Sequence, residues 1–322
     1  MKPRLLVMRE IDHHFLDYLS NYFETDYQPS FSREQFLTSL ESAQAILNYS
    51  IKIDEELIQH APRLKLVSNI SVGYDNFDIA AMKKAGIIGT HTPNVLNDCV
   101  VDLTFGLMLN TSRRISELAS TIKRKKWTIK DDVNYYGLDV HHKKLGIIGL
   151  GRIGEELARR AKLGFSMDVS YYNRRKKSEL ENENILWKPL DQLLEESDFV
   201  VLLTPLTEET RNLMNASKFE KMKKTAIFIN MSRGATVDEK ALYNALKNHD
   251  IYAAASDVFV HEPINNDNPL LELDNFTATP HIGSATQETR NAMTKLAIEN
   301  TIEVLINGKM QNVVPELQML LK

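Results

Sequence analysis

The sequence predicts an α/β protein made of two doubly wound parallel-sheet domains, one inserted into the other. Three observations predict it. Short apolar runs alternate with amphipathic stretches almost throughout, the runs fall into two series, and two long helical segments break the rhythm between them. At 322 residues the chain is long enough for each domain to bury its own core.

The first series of candidate strands is "RLLVM" (4–8), "AILNY" (45–49), "LKLVSNIS" (64–71) and "GIIGTH" (86–91). The second is "KLGIIGL" (144–150), "DVSYYN" (168–173), "DFVVLLT" (198–204), "TAIFINM" (225–231), "YAAASDV" (252–258) and "FTATP" (276–280). Short polar residues mark helix starts between them: Ser32 before "REQFLTSL", Asp54 before "EELIQ" and Ser217 before "KFEKM". The long helical segments run from about Asn97 to Trp127 and from about Thr286 to Ile306, lengths that suit a hinge between domains. The expected organisation is therefore residues 1–99 plus 287–322 as one domain and 100–286 as the inserted one. The run "KRKK" (123–126) reads as a solvated helix end.

With 43% hydrophobic and 25% charged residues the composition is that of an ordinary globular protein, and a net charge of −4 gives no drive toward nucleic acid or an anionic membrane. A single cysteine, Cys99, excludes an internal disulfide and a cysteine-based metal cluster; His13–His14 and His141–His142 lack partners at ligand spacing, so no metal site is expected. Cys99 reads as a half-buried helix residue. The opening "MKPRLLVMRE" holds too short an apolar run for a signal peptide, and no run reaches membrane-spanning length, so a cytoplasmic protein is expected.

Gly149-Leu-Gly-Arg152-Ile153-Gly154 matches G-x-G-x-x-G, a weak pattern alone. Here it closes an apolar run ending at Leu150 and opens "RIGEELARRAKLG", apolar at 153, 157 and 161. That strand–turn–helix setting is what a Rossmann dinucleotide site requires: Gly149 for the tight turn, Gly151 for backbone approach to a pyrophosphate, Gly154 for close helix packing. About twenty residues on, an NAD site places an acidic residue against the ribose 2′-hydroxyl. This chain has "VSYYNRR": Asn173 followed by Arg174 and Arg175. A carboxylate would repel the 2′-phosphate of NADP, whereas two guanidiniums can form charge-assisted contacts with it. The expected cofactor is NADP(H), with NAD(H) the weaker alternative.

Three further segments carry chemical groups at the carboxyl ends of predicted strands, the edge where open α/β sheets bind ligands. "NMSRGATVDE" places Arg233, "DVFVHEP" places Glu262 and "TPHIGSAT" places His281. A salt-bridging arginine, a loop carboxylate or a strand-end histidine would each be unremarkable alone. All three on the edge that bears the glycine turn is a much rarer coincidence.

With these segments the chain resembles the D-isomer-specific 2-hydroxyacid dehydrogenases over nearly its full length, also through "ISVGYDNFD" (70–78) and "PLTEET" (205–210). Within that family "SVGYDNFD", "DVHHKKLGI" and "HIGSATQETR" most resemble glyoxylate/hydroxypyruvate reductases, also called 2-ketogluconate reductases. The resemblance implies a Rossmann cofactor domain inserted into a flavodoxin-like substrate domain, with a small 2-oxo acid or 2-hydroxy acid bound in the cleft. It implies that His281 is the general acid, that Glu262 orients it and favours its protonated form, and that Arg233 holds the substrate carboxylate. It assigns Val72, Gly73 and Ser284 to the substrate, Asp257 to the nicotinamide carboxamide, and Thr204, Pro205, Met231 and Gly283 to the cofactor cleft. It also places the aromatic segment from Trp127 to Tyr136 in a homodimer interface. The chain departs from the family at Ala255-Ser256, commonly Gly-Leu, and at Cys99-Val100, often threonine, so one cofactor contact there is in question. Two other readings stay open: an NAD-linked relative such as phosphoglycerate dehydrogenase, and a dinucleotide-sensing co-repressor scaffold without activity.

Overall fold

The structure is a computed structural model that describes residues 2–128, 133–177 and 184–321. The chain divides into two compact units, residues 1–96 with 286–322, and residues 97–285.

In the first unit the elements are β1 (Arg4–Val7), α1 (His13–Ser20), β2 (Glu24–Tyr27), α2 (Arg33–Leu40), β3 (Ala45–Asn48), α3 (Glu55–Gln59), β4 (Leu66–Asn69), α4 (Ile79–Ala85) and β5 (Ile88–Thr90). All strands are parallel in the order β2-β1-β3-β4-β5, the flavodoxin-like arrangement. Leu5, Leu6, Val7, Ile46 and Leu47 are fully buried, because strands covered on both faces need continuous apolar runs. Helix starts follow the sequence: Ser32 and Gln35 form a capping box, and the Asp54 carboxylate accepts from Leu57 N at 3.0 Å. Buried amides fix the loops after β3 and β4. Asn48 Nδ2 donates to Asn69 Oδ1 at 3.1 Å, Asn69 Nδ2 to Asn76 Oδ1 at 2.7 Å, and Asn76 Nδ2 to Ile51 O at 2.7 Å.

The second unit begins with α5 (Asn97–Arg113) and α6 (Ile115–Lys123), where the sequence predicts one helix to about Trp127. Arg114 breaks it with a left-handed φ of 54°, held by its guanidinium on Glu117 at 2.8 and 2.5 Å and on Asn134 O at 2.6 Å. β6 (Lys144–Ile148), α7 (Arg152–Phe165), β7 (Asp168–Tyr172), β8 (Ile185–Trp187), α8 (Leu190–Glu196), β9 (Phe199–Leu202), α9 (Ala216–Phe219), β10 (Ile227–Asn230), α10 (Glu239–Lys247), β11 (Ala253–Ser256) and β12 (Phe276–Ala278) follow. The order β12-β11-β10-β9-β6-β7-β8 is all parallel and reverses direction between β6 and β9, as in a Rossmann sheet. Leu157, Ala158 and Ala161 of α7 pack with Ile147 and Val169 in one core cluster; a fully buried leucine there contributes roughly 1.5–3 kcal/mol. The chain returns to the first unit as α11 (Gln287–Leu305), capped by Thr286, and packs on β3, β4 and β5.

Ser217 is not the cap of α9. That helix starts at Ala216 after an extended Asn215, and the Ser217 hydroxyl donates to the Asn215 side chain at 2.8 Å. β2 carries no apolar run and β8 only the three residues Ile185–Trp187, too short to reveal it; both are edge strands, which need burial on fewer sides. Among the described residues no helix is long and apolar enough to cross a membrane.

Candidate active site

The glycine turn lies where the sheet order reverses. Gly149 has φ of 101°, and a Cβ on it would stand 2.9 Å from Leu203 C and Thr204 N, so only glycine lets the turn lie against the end of β9. Gly154 brings α7 down on the turn, with a hypothetical Cβ 2.7 Å from Gly149 O. Gly151 caps α7 without a side chain and faces open space. Beside Gly149 the Thr204 Oγ1 is buried with no hydrogen-bond partner. An uncapped helix start, room for backbone approach and an orphaned hydroxyl fit a dinucleotide pyrophosphate. Arg152 is exposed at the first position of α7 and Ile153 is half-buried behind it.

The Asn173 side chain bonds the glycine turn. Its Oδ1 accepts from Leu150 N at 2.7 Å and its Nδ2 donates to Leu150 O at 3.1 Å, so the amide braces the turn. Trp187 Nε1 donates to Asn173 O at 3.0 Å. Arg174 and Arg175 beyond it are exposed; Arg174 meets Glu209 at 2.5 Å, an exposed pair of small energetic weight that an incoming phosphate can displace.

Arg233, Glu262 and His281 follow β10, β11 and β12, three neighbouring strands of one sheet. His281 Nδ1 lies 2.7 Å from Glu262 Oε2, each side chain 37% exposed. Glu262 Oε1 accepts from Phe259 N at 3.0 Å. Partial burial pushes the Glu262 carboxyl up, but the bonds from His281 and Phe259 and the charges of His281 and Arg233 bring it below the usual carboxylate range. An ionised Glu262 only accepts, so Nδ1 carries the proton and Nε2 is the ring's other working end.

Buried polar groups set these loops. Ser232 N and Oγ donate to Asn230 Oδ1 at 3.0 and 2.7 Å, and Thr236 Oγ1 donates to Arg233 O at 2.6 Å. A Cβ on Gly234 would fall 1.9 Å from Phe259 C, so glycine alone lets the Arg233 loop touch the Glu262 loop. Asp257, 2% exposed, clamps the His281 loop: Oδ1 accepts from Thr279 Oγ1 at 2.7 Å and Ile282 N at 2.9 Å, Oδ2 from Gly283 N at 2.7 Å. His281 itself takes a left-handed φ of 51°. Asp257, expected to contact a carboxamide, thus also holds the loop. Asn230, Ser232, Gly234 and Thr236 were not among the expected site residues. The signal for them was present: a polar run directly after the apolar "IFI" at a strand's carboxyl end.

Met231 continues β10, its N donating to Leu202 O at 3.0 Å, and its Cε borders Gly283. Pro205 O accepts from Thr210 Oγ1 at 2.7 Å, and Ser284 is buried. Ser256, at one departure from the family, turns its hydroxyl to Val258 O at 2.6 Å. Cys99, at the other, is half-buried in the first turn of α5. In the first unit Val72 O meets His91 Nδ1 at 2.9 Å and Gly73 O accepts from Ser71 Oγ at 2.6 Å. Of the aromatic segment 127–136, residues 129–132 lie outside the described residues; Trp127, Val133 and Tyr136 are exposed. Among the described residues no group of three or more His, Cys, Asp or Glu could hold a metal ion.

The profile of the family described as D-isomer specific 2-hydroxyacid dehydrogenase, NAD binding domain, matches residues 105–283. The chain is 43% identical over 315 residues to glyoxylate/hydroxypyruvate reductase B of Klebsiella pneumoniae subsp. pneumoniae, covering 97% of each chain. It is similar in structure to a glyoxylate reductase from Paecilomyes thermophila, with a TM-score of 0.90, 30% identity and coverage of 98% and 99% of the two chains. It is also similar to the NADPH-dependent glyoxylate/hydroxypyruvate reductase of Sinorhizobium meliloti solved with NADP and malonate, with a TM-score of 0.86, 30% identity and 98% coverage of both.

Proposed function

The chain belongs to the D-isomer-specific 2-hydroxyacid dehydrogenase family, and from that premise we propose that it reduces glyoxylate, hydroxypyruvate and 2-ketogluconate to D-2-hydroxy acids with NADPH. The observation that carries the reading is the 2.7 Å Glu262–His281 pair, with the Arg233 charge acting on the same carboxylate. A bound nicotinamide would supply the hydride to the carbonyl carbon. Protonated His281 gives its Nε2 proton to the carbonyl oxygen as negative charge develops there. Glu262 keeps the ring in register through Nδ1 and stabilises the imidazolium before transfer. Arg233 holds the substrate carboxylate, which fixes the adjacent carbonyl for attack.

Preference for NADPH rests on Arg174 and Arg175, exposed just past β7, and on the absence of a carboxylate at 173. The related reductase of S. meliloti, described as NADPH-dependent, supports the same choice. Exposed Ile115, Ile122, Trp127, Val133 and Tyr136 support a homodimer, and sedimentation equilibrium tests it: a monomer at micromolar concentration removes that part. The cytoplasm, where NADPH is generated, is the proposed compartment. Loss of NADPH absorbance with each 2-oxo acid tests the activity. Turnover with glyoxylate or hydroxypyruvate, and a higher kcat/KM for NADPH than for NADH, is expected; no turnover with any of the three acids would overturn the proposal.

A further inference from the structure

Arg9, Tyr49 and Arg290 form a cationic cluster at the carboxyl edge of the five-stranded sheet, wholly within the first unit. Arg9 follows β1 and Tyr49 follows β3; the register Leu5↔Ala45 and Val7↔Leu47, carried two residues further, sets them side by side. The guanidinium carbon of Arg9 stands 4.1 Å from the Tyr49 ring centre, and that of Arg290, in the first turns of α11, stands 4.9 Å from it. One aromatic ring thus receives two cations.

No counter-charge accompanies them. Arg290 Nη1 is buried without a hydrogen-bond partner, and neither guanidinium enters an ion pair among the described residues. Partial burial and then the Arg290 charge lower the pKa of Arg9, against a smaller opposing effect of Tyr49, as expected of two like charges held close together. Holding them together costs stability in the free protein, since the buried Arg290 Nη1 has lost its water and gained no acceptor, while Arg9 has only the Tyr49 side chain as a partner. Among the described residues no carboxylate forms an ion pair with either of them. The edge is also the one where parallel α/β sheets take ligands.

We propose that Arg9 and Arg290 bind a compact oxyanion, phosphate or a small dicarboxylate, between their forks beside Tyr49. The anion would supply the acceptors that Arg290 Nη1 lacks and cancel the repulsion between the two cations. The ring holds both guanidinium groups close to it, so less side-chain freedom is lost on binding. All three residues lie in the first unit, and the proposal does not depend on the reductase reading.

Isothermal titration of the full-length protein with inorganic phosphate and with malonate tests it. NADP⁺ is kept saturating throughout, to fill any nucleotide-phosphate contacts. One phosphate per chain is expected, and one malonate beyond any that Arg233 takes up. The dissociation constant should rise about 10-fold or more in Arg9→Gln and separately in Arg290→Gln, the usual consequence of losing a charge-assisted bond. Arg233→Gln should leave this event unchanged. Binding of phosphate with the same losses identifies a free inorganic or phosphorylated ligand; binding of malonate alone identifies a dicarboxylate. Thermal melts check that each variant is folded, and Tyr49→Phe, which keeps the ring, should still bind. No binding of either anion, or equal binding by wild type and both arginine variants, overturns the proposal.

Discussion

Asp257→Asn separates a loop clamp from a cofactor contact. The carboxylate is 2% exposed and accepts three bonds, two on Oδ1 and one on Oδ2, from residues on both sides of His281. Asparagine keeps the shape but has one acceptor oxygen. With that oxygen at the Oδ1 position, an NH₂ faces the Gly283 N–H, donor against donor. Losing a bond to a charged acceptor costs about 1.5–3 kcal/mol, and leaving a buried donor unsatisfied costs about 1–3 kcal/mol. The loop should therefore lose roughly 3 kcal/mol of restraint, more in the flipped orientation. If about half of that falls on the placement of His281, kcat drops about 10-fold, and if all of it does, about 100-fold, at 1.36 kcal/mol per decade. Steady-state NADPH consumption with glyoxylate measures kcat, and hydrogen exchange at Ile282 and Gly283 measures the loop directly. A variant with kcat within about twofold of wild type and unchanged exchange would refute the clamp. A raised KM for NADPH with kcat retained would instead assign Asp257 to the cofactor.

His281→Ala should lower kcat by about 10²–10⁴-fold with little change in NADPH binding; near-normal turnover removes it from the mechanism. Arg174→Ala combined with Arg175→Ala should raise the KM for NADPH far more than that for NADH, and equal losses would mean the pair does not sense the 2′-phosphate. Gly234→Ala forces a Cβ into the Phe259 backbone and should cost at least about 2 kcal/mol, seen as a lower melting temperature together with lost activity. Glu262 has a folded pKa below its unfolded one, so its charge contributes stability above the ordinary carboxylate pKa of about 4.3, and that contribution is lost as pH falls through the lowered folded value. Acid melts should show a shallower loss in Glu262→Gln than in wild type over that range; identical acid limbs would contradict the shift. At 37% exposure the effect is small.

What the sequence revealed followed from whether a feature is local. Ten of the twelve strands among the described residues announced themselves as apolar runs, because a strand buried on both faces must be apolar throughout. β2, "ETDY", and β8, "ILW", were missed because an edge strand gains its place by pairing with a neighbour already formed. The break at Arg114 was invisible for a related reason. A non-glycine residue in the left-handed region has no composition signal; it is held there by Glu117 and Asn134 O, contacts that exist only after folding. Asn173 shows the same limit at the site. Its position past β7 was readable, but a free amide and one bonded twice to Leu150 have identical sequences.

The sequence distances from 233 to 262 to 281 conceal how simply the candidate site is assembled. Successive parallel strands stand about 4.8 Å apart, so loops leaving β10, β11 and β12 at one edge must emerge side by side. Direct contacts then join each neighbouring pair of loops. Gly234 against Phe259 joins the first to the second; Asp257 on Ile282 and Gly283, with Glu262 on His281, joins the second to the third. The left-handed His281 and the buried Asp257 both cost free energy that the loops cannot recover from apolar burial of their own. That cost is offset beneath them, where Ile227, Phe228, Ile229, Ala254 and Ala255 are fully buried. Substitutions in that floor should consequently reach the site through strand register, whereas substitutions at Gly234 or Asp257 should disturb the loops and leave the sheet formed.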